Sequence, residues 1–390
     1  MNDNNLLTAL RLIRSEGVGP VMYRRLLARF GSAEKALLAL PNLQKPGGRK
    51  LLPCSVAQAE AELENLYKAG GRIIHEDDAD YPALLKNIDD APPLISVLGR
   101  VELLQQPSLA IIGARNATLN GRRFAERLAR ELGEHHYTIV SGLARGIDTA
   151  AHMGSLASGT IAVLAGGVDN IYPPENKDLY ARIAENGVIL SEMPWGIVPT
   201  NQHFPRRNRL IAGLAQATII VEAALKSGSL ITTRLALEQG REVFAVPGSP
   251  MDPRHAGPNQ LIKTGQAQLI EGSQDILEAL SLISAQRITP MRKNLNLFSN
   301  NDNIDLNEDT EFMLDVLHTV NDLENNREAP APANAYEHIL NALSTAPTST
   351  DILVQNTGLP VEDVLAILLE LELAGRLQRQ PGNMVALIAA

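Results

Sequence analysis

The sequence predicts a doubly wound α/β protein with smaller helical units on either side, and three observations lead there. Six short, β-branched runs, "LAIIG", "YTIVSG", "TIAVLAG", "GVILSE", "ATIIVEA" and "EVFAVPG", recur from residue 108 onward, most of them closing at Gly. Segments of helical periodicity such as "GRRFAERLARELGEH" and "GSLITTRLALEQG" separate them. The runs are continuously apolar rather than alternating. That pattern fits strands covered on both faces, and strand–helix alternation builds βαβ units around a parallel sheet.

Taken in order, "LLTALRLIRSEGVGPVMYRRLLARFGSAEKALLAL" spaces apolar residues helically and breaks at Gly17-Val18-Gly19-Pro20. Two short helices around a glycine hairpin follow, the hairpin serving either as a tight turn or as backbone N–H groups offered to a phosphate. Residues 1–69 form this helical unit, and 70–286 the α/β domain. The latter opens with "GRIIHEDDADYPALLKNIDDAPPLISVLG", two apolar runs separated by Pro-containing turns. Residues 287–333 are rich in Asn, Asp and Pro and read as a flexible acidic linker, with a short helix at "FMLDVLHTV". Residues 334–390 give a helix, "STDILVQNTG", the helix "PVEDVLAILLELELAG" and two strand-like pieces around Pro381-Gly382. That order is a winged helix-turn-helix. Its last helix is acidic and has no basic face for a groove, which speaks against strong DNA reading and leaves protein contact at least as well supported.

The net charge of −9 argues at first against nucleic acid. Its distribution removes the objection. Asp302 to Glu328 holds nine acids against Arg327, whereas Leu109 to Arg287 holds 17 Lys/Arg and 16 Asp/Glu. A local basic groove is compatible with that middle region. The single cysteine, Cys54, excludes an internal disulfide framework and a Cys-based zinc site. With no signal-peptide pattern in "MNDNNLLTAL" and no membrane-length apolar run, the expectation is a cytoplasmic protein with no membrane attachment.

Ligands of open parallel sheets sit beyond the carboxyl ends of the strands. Five polar, glycine-flanked clusters fall there. In "IIGARNATLNGRR", Gly113 lets the backbone approach a ligand and Arg115 follows the strand end; Arg122 and Arg123 open a helix, either as an exposed pair or facing an anion. In "SGLARGIDTAAH", Gly142 ends a strand, Asp148 is a helix cap or an acid, and His152 has no candidate partner. In "AGGVDNIYPPENKDLY", Lys177 opens a helix behind Pro173-Pro174 and is either a surface lysine or a groove cation. In "HFPRRNRLIAG", Phe204 either staples against Leu210 or stacks on a base, with Arg206, Arg207 and Arg209 around Asn208. Three arginines at a helix start call for an anion. In "VEAALKSGSLITTRLALEQG", Lys226, Ser227 and Gly228 form an anion nest and Ser229 can cap the helix.

The sequence has no Walker A lysine, HExxH, G-x-S-x-G elbow or paired-Cys site, so no cofactor, metal or catalytic group is expected. The nearby carboxylates Asp148, Glu192 and Glu222 have no evident nucleophile or metal partner. Several phosphate nests with one exposed aromatic describe a groove for a polymer of phosphates.

These motifs closely resemble the DNA-processing protein A (DprA/Smf) family across most of residues 108–275, most specifically from 203 to 248. The resemblance implies an extended Rossmann core with an N-terminal SAM-like domain and a C-terminal winged helix. It also implies a non-enzymatic, dimeric protein that binds single-stranded DNA, protects it and loads RecA recombinase during natural transformation. The family's DNA-binding arginine falls on Arg115, its "ENK" lysine on Lys177 and its stacking aromatic on Phe204. Many relatives carry a basic residue where this chain has Asn201, and Arg206 or Arg207 would replace that charge. The segment "NQLIKTGQAQLI" matches the family's dimer contact without the His often found there. Two other readings are a Rossmann-like nucleotide hydrolase using Glu222 or Asp148, and a winged-helix transcription regulator.

Overall fold

A computed structural model describes residues 3–43, 51–288, 335–374, 376–380 and 384–388. The linker from residue 289 on, with its expected helix at "FMLDVLHTV", lies outside them.

The chain opens with helices α1 (Asp3–Ile13), α2 (Pro20–Phe30), α3 (Ala33–Ala39) and α4 (Val56–Lys68). Gly17 sits at φ 76°, where a side chain would be strained, and Pro20 supplies the first residue of α2. The glycine hairpin is thus a turn. Ser55 and Gln58 form a capping box that starts α4. Arg14, just after α1, pairs with Glu62 on α4 at 2.8 Å, and it also donates to the Glu192 carbonyl at 2.8 Å. Leu10, Leu12, Leu40 and Leu66 share one buried cluster with Leu94 and Ile189. The helical unit therefore packs directly on the sheet.

Among the described residues nine strands make one sheet: β1 (Arg72–His75), β2 (Leu94–Gly99), β3 (Ser108–Ile112), β4 (Thr138–Ser141), β5 (Thr160–Val163), β6 (Val188–Ser191), β7 (Ala217–Ile220), β8 (Glu242–Ala245) and β9 (Gln268–Leu269). Their order is β1-β2-β6-β5-β4-β3-β7-β8-β9. From β6 to β9 across the sheet every neighbour pair is parallel, while β1 and β2 add an antiparallel edge beside β6. All six strands expected from the apolar runs are present, and β3 to β7 are buried at every residue.

Helices α5 (Ala83–Lys86), α6 (Leu119–Glu134), α7 (Ile147–Ser155), α8 (Lys177–Asn186), α9 (His203–Leu214), α10 (Gly228–Glu238), α11 (Ala256–Lys263) and α12 (Ser273–Ile288) connect and flank the strands. Leu210, Ile211 and Ala236 pack in one cluster; Leu128, Ile147 and Ile276 pack in another. From β3 the chain steps through β4, β5 and β6, then returns to place β7 on the other side of β3. The order reverses there, so the crevice for a ligand lies beyond the carboxyl ends of these central strands.

The winged helix comprises α13 (Ala335–Ala342), β10 (Thr348–Ser349), α14 (Thr350–Thr357), α15 (Val361–Leu373), β11 (Leu377–Gln380) and β12 (Met384–Leu387). Leu119, at the start of α6, is buried in the same cluster as Ile339, Leu343, Leu353 and Leu368. Asn120 donates to Thr348 Oγ1 at 3.3 Å, and the Arg254 guanidinium donates to the carbonyls of Asn341 and Leu343 at 2.9 and 2.8 Å. Among the described residues no helix is long and apolar enough to cross a membrane.

Candidate nucleic-acid interface

The "HFPRRNR" stretch divides at its middle. It forms the first turns of α9 rather than a loop, and its residues point two ways. Arg207 is only 7% exposed. Its Nη1 donates to the carbonyls of Gly142 and Val163, at the ends of β4 and β5, at 2.6 and 2.5 Å. Its Nε donates to Asn208 Oδ1 at 3.2 Å. Burial lowers the Arg207 pKa to about 10, with Asp148 opposing the shift and Arg115 adding to it. Asn208 in turn donates to the Gly228 carbonyl at 3.4 Å. Arg209 is equally buried and pairs with Glu192, and its Nε lies 3.1 Å from Asp90 Oδ2. The expectation that three arginines here need an external anion is corrected: Arg207 and Arg209 have internal acceptors. Arg207, Asn208 and Arg209 hold the edge together from beneath, and only Arg206 is exposed.

The carboxylates have similar explanations. Asp148 accepts from the N–H groups of Gly142 and Ala144 at 3.1 and 3.3 Å, so it ties down the preceding turn, and Gly146 takes the cap position instead. Burial raises its pKa, against the pull of Arg207 and those N–H bonds. Glu222 accepts from the Thr118 N–H at 2.9 Å and its hydroxyl at 2.6 Å, beneath the start of α6. His152 is wholly buried between the Leu143 N–H and Thr160 Oγ1, and burial depresses its pKa to about 3.

Gly113, expected to let a ligand approach, lets the protein approach itself, and so does Gly142 at the end of β4. A Cβ on Gly113 would stand 2.5 Å from Ile147 Cγ1, and one on Gly142 would stand 2.5 Å from Arg207 Nη1. Ser227, not Ser229, caps α10: its Oγ accepts from the Ser229 N–H at 3.4 Å and meets the Ser229 hydroxyl at 2.7 Å. Lys226 and Gly228 flank it, both exposed. Lys177 opens α8 and is exposed; Asn176, just before it, donates to the Leu143 carbonyl at 2.8 Å and to Thr149 Oγ1 at 2.9 Å. Those bonds seat Lys177 above the β4–α7 turn.

On this buried frame sits an aromatic cluster. The half-buried Phe204 ring lies 5.4 Å from the Tyr172 ring at a 52° tilt, and the Arg115 guanidinium carbon lies 5.2 Å from the Phe204 centroid. The spacings suit an edge-tilted aromatic pair and a cation–π contact. Phe204 is the second residue of α9, behind the Gln202 cap, so it does not stand at the position from which a staple reaches into the helix. Tyr172, 46% exposed, is the residue that sequence reasoning missed. Its signal was present: an aromatic directly before two prolines, five residues before Lys177, in a stretch read only for its prolines and lysine.

A sequence profile for the family described as "DNA recombination-mediator protein A" matches residues 72–281. The chain belongs to this family. Profiles for the DprA-like N-terminal HHH domain and the DprA winged helix domain match residues 3–65 and 324–383. Protein Smf of Synechocystis is 35% identical over 387 residues, covering 94% of this chain and 95% of its own. DNA processing protein DprA of Streptococcus pneumoniae is 46% identical over 202 residues, covering 51% and 71%. The solved structure of DprA from Streptococcus pneumoniae superposes with a TM-score of 0.54 at 41% identity, over 57% of this chain and 77% of that one. DNA processing protein A of Helicobacter pylori, a structure described for its single-stranded DNA binding mode, gives 0.50 at 34% identity, over 55% and 96%. The helical, α/β and winged-helix parts of this chain are thus family features.

Proposed function

We propose that this chain binds single-stranded DNA along the carboxyl edge of its sheet, and that it acts there as a recombination mediator. The observation that carries this reading is the Tyr172–Phe204–Arg115 cluster, an aromatic surface with a cation on its rim. Stacked bases meet the rings while Arg115, Lys177, Arg206 and Lys226 meet the backbone, with the Ser227–Gly228 turn offering N–H groups. The occupied carboxylates support binding over hydrolysis: Glu222 and Asp148 each serve backbone N–H groups, and Glu192 serves Arg209. In this reading residues 70–286 form the strand-binding unit, flanked by 1–69, the linker 287–333 and the winged helix 334–390. The finer role is cytoplasmic: a homodimer that protects incoming strands and loads RecA recombinase onto them during transformation. The single-stranded DNA binding of the Helicobacter pylori relative supports the substrate.

Fluorescence anisotropy over a salt series tests the binding, with labelled single-stranded and duplex oligonucleotides. Single strands bind more tightly, and Arg115→Ala lowers the log–log salt slope by about 0.7, the share of one phosphate contact. Equal affinity for both forms, or an unchanged slope, removes the proposal. RecA filament growth on strands precoated with single-strand-binding protein tests the mediator role separately.

A further inference from the structure

Where the winged helix meets the sheet edge, a cavity of about 330 Å³ lies between them. Arg115, Arg122 and Arg145 line it from the core, and His338, Asn341 and Asn356 line it from α13 and α14. Among the described residues no Asp or Glu lines it. We infer that this cavity takes a phosphodiester of the same DNA strand, so that core and winged helix grip the strand jointly. The inference rests on the strand-binding reading above and extends the path beyond the aromatic cluster.

Three features carry it. Arg115 belongs to both places, touching the Phe204 ring and lining the cavity, so a strand on the rings reaches the cavity without a gap. Three guanidinium groups gathered on one cavity repel one another; Asp148 and Glu222, behind the lining, offset Arg115 and Arg122 in part, and an anion in the cavity relieves the rest. Arg145 does pair with Glu175, but both groups are more than half exposed and the pair is screened. Finally, Arg122 Nε is buried with no hydrogen-bond partner, an unusual state for a charged donor.

The winged-helix wall is suited to the same ligand. Helix C-termini normally carry partial negative charge, which an anion avoids. Here several carbonyls near those ends are engaged. Arg254 covers those of Asn341 and Leu343 at the end of α13. At the end of α14 the Gly358 N–H takes the Val354 carbonyl, and Asn356 Nδ2 and Thr357 Oγ1 donate to the Ile352 and Leu353 carbonyls one turn back. The wall that remains presents amide and imidazole groups.

The test uses the full chain with oligothymidylates of about 4 and about 16 nucleotides, near the limits of single-strand site sizes. Asn341→Asp and Asn356→Asp place a carboxylate at exposed positions of the winged-helix wall. Each weakens the long oligomer roughly threefold to tenfold at low salt, as expected for a charge placed near a phosphate. Both leave the short oligomer unchanged, because it fills only the aromatic cluster. Arg122→Gln gives the same pattern and lowers the salt slope for the long oligomer by about 0.7. Thermal unfolding of each variant shows that the fold is intact. The inference is overturned if the Asp variants bind the long oligomer as wild type does, or weaken both lengths equally. In either case Phe204→Ala still reports on the aromatic cluster. If wild type binds neither length, the strand-binding reading falls and this one falls with it.

Discussion

The sheet edge and the winged helix face each other across one cavity, yet they carry opposite charge. At the edge, Arg115, Lys177, Arg206 and Lys226 are exposed above a buried layer of Arg207, Arg209, Asp148 and Glu192. From Ala335 to Gly375 the winged helix has six Asp/Glu and no Lys or Arg. Its core is instead mostly apolar, with Leu353, Val364, Leu368 and Leu371 fully buried. Duplex binding draws most of its strength from neutralised phosphates, which this part of the chain cannot supply. A fold name associated with DNA therefore says little about either region; the placement of charge separates them.

The sharpest way to break this comparison is to attack the buried layer of the edge. Arg207→Met leaves two strand-end carbonyls without their donor and Asp148 without the larger of its counter-charges. Urea unfolding is expected to show a loss of about 3 kcal/mol. Wild-type stability with weakened binding would instead return Arg207 to the DNA surface. Next in size are Phe204→Ala and Tyr172→Ala, each costing about 1–3 kcal/mol of single-strand affinity in anisotropy titrations, with little change in Tm. Loss for Phe204 alone would mean that Tyr172 merely buttresses the ring.

A pH series sharpens the comparison further. His152 is held neutral in the fold at a pKa of about 3 and titrates near 6.5 once unfolded. Its contribution is therefore complete above pH 6.5 and is lost as pH falls toward 3, with a slope of at most about 1.4 kcal/mol per pH unit. His152→Gln flattens that slope, as denaturant midpoints across the window will show; an unchanged slope would place the proton elsewhere. The smallest effect belongs to the winged helix. Glu370→Gln, on exposed α15, shifts single-strand affinity by less than about 0.5 kcal/mol. A larger gain in duplex affinity would show that α15 does approach a groove.

Much of the fold was legible because parallel strands buried on both faces leave unbroken apolar runs. Arg115 and Phe204 were legible as a strand-end cation and an isolated aromatic, and the structure brings them together. The inward turn of Arg207 and Arg209 was hidden, since their acceptors come from distant positions: Gly142, Val163, Asp90 and Glu192. A trace did exist. Arg207 sits three, four and seven residues before Leu210, Ile211 and Leu214, on the apolar stripe of its helix, and all of these are buried. Charge at a stripe position signals an internal partner, although spacing alone does not separate the neighbours: Arg206 stands four residues before Leu210 and yet faces solvent. Glu222 was opaque for the same reason, its partner Thr118 lying 104 residues away.

Phe204 and Arg207 stand three residues apart on α9, and Arg207 is bonded to the ends of two sheet strands. The ring is thus fastened through its helix to the buried central sheet before any strand arrives. A receptor organised in advance leaves the entropy of ordering almost wholly to the DNA. Flexible pyrimidine strands should then gain affinity when their own freedom is reduced, while stiffening the protein further should bring almost nothing.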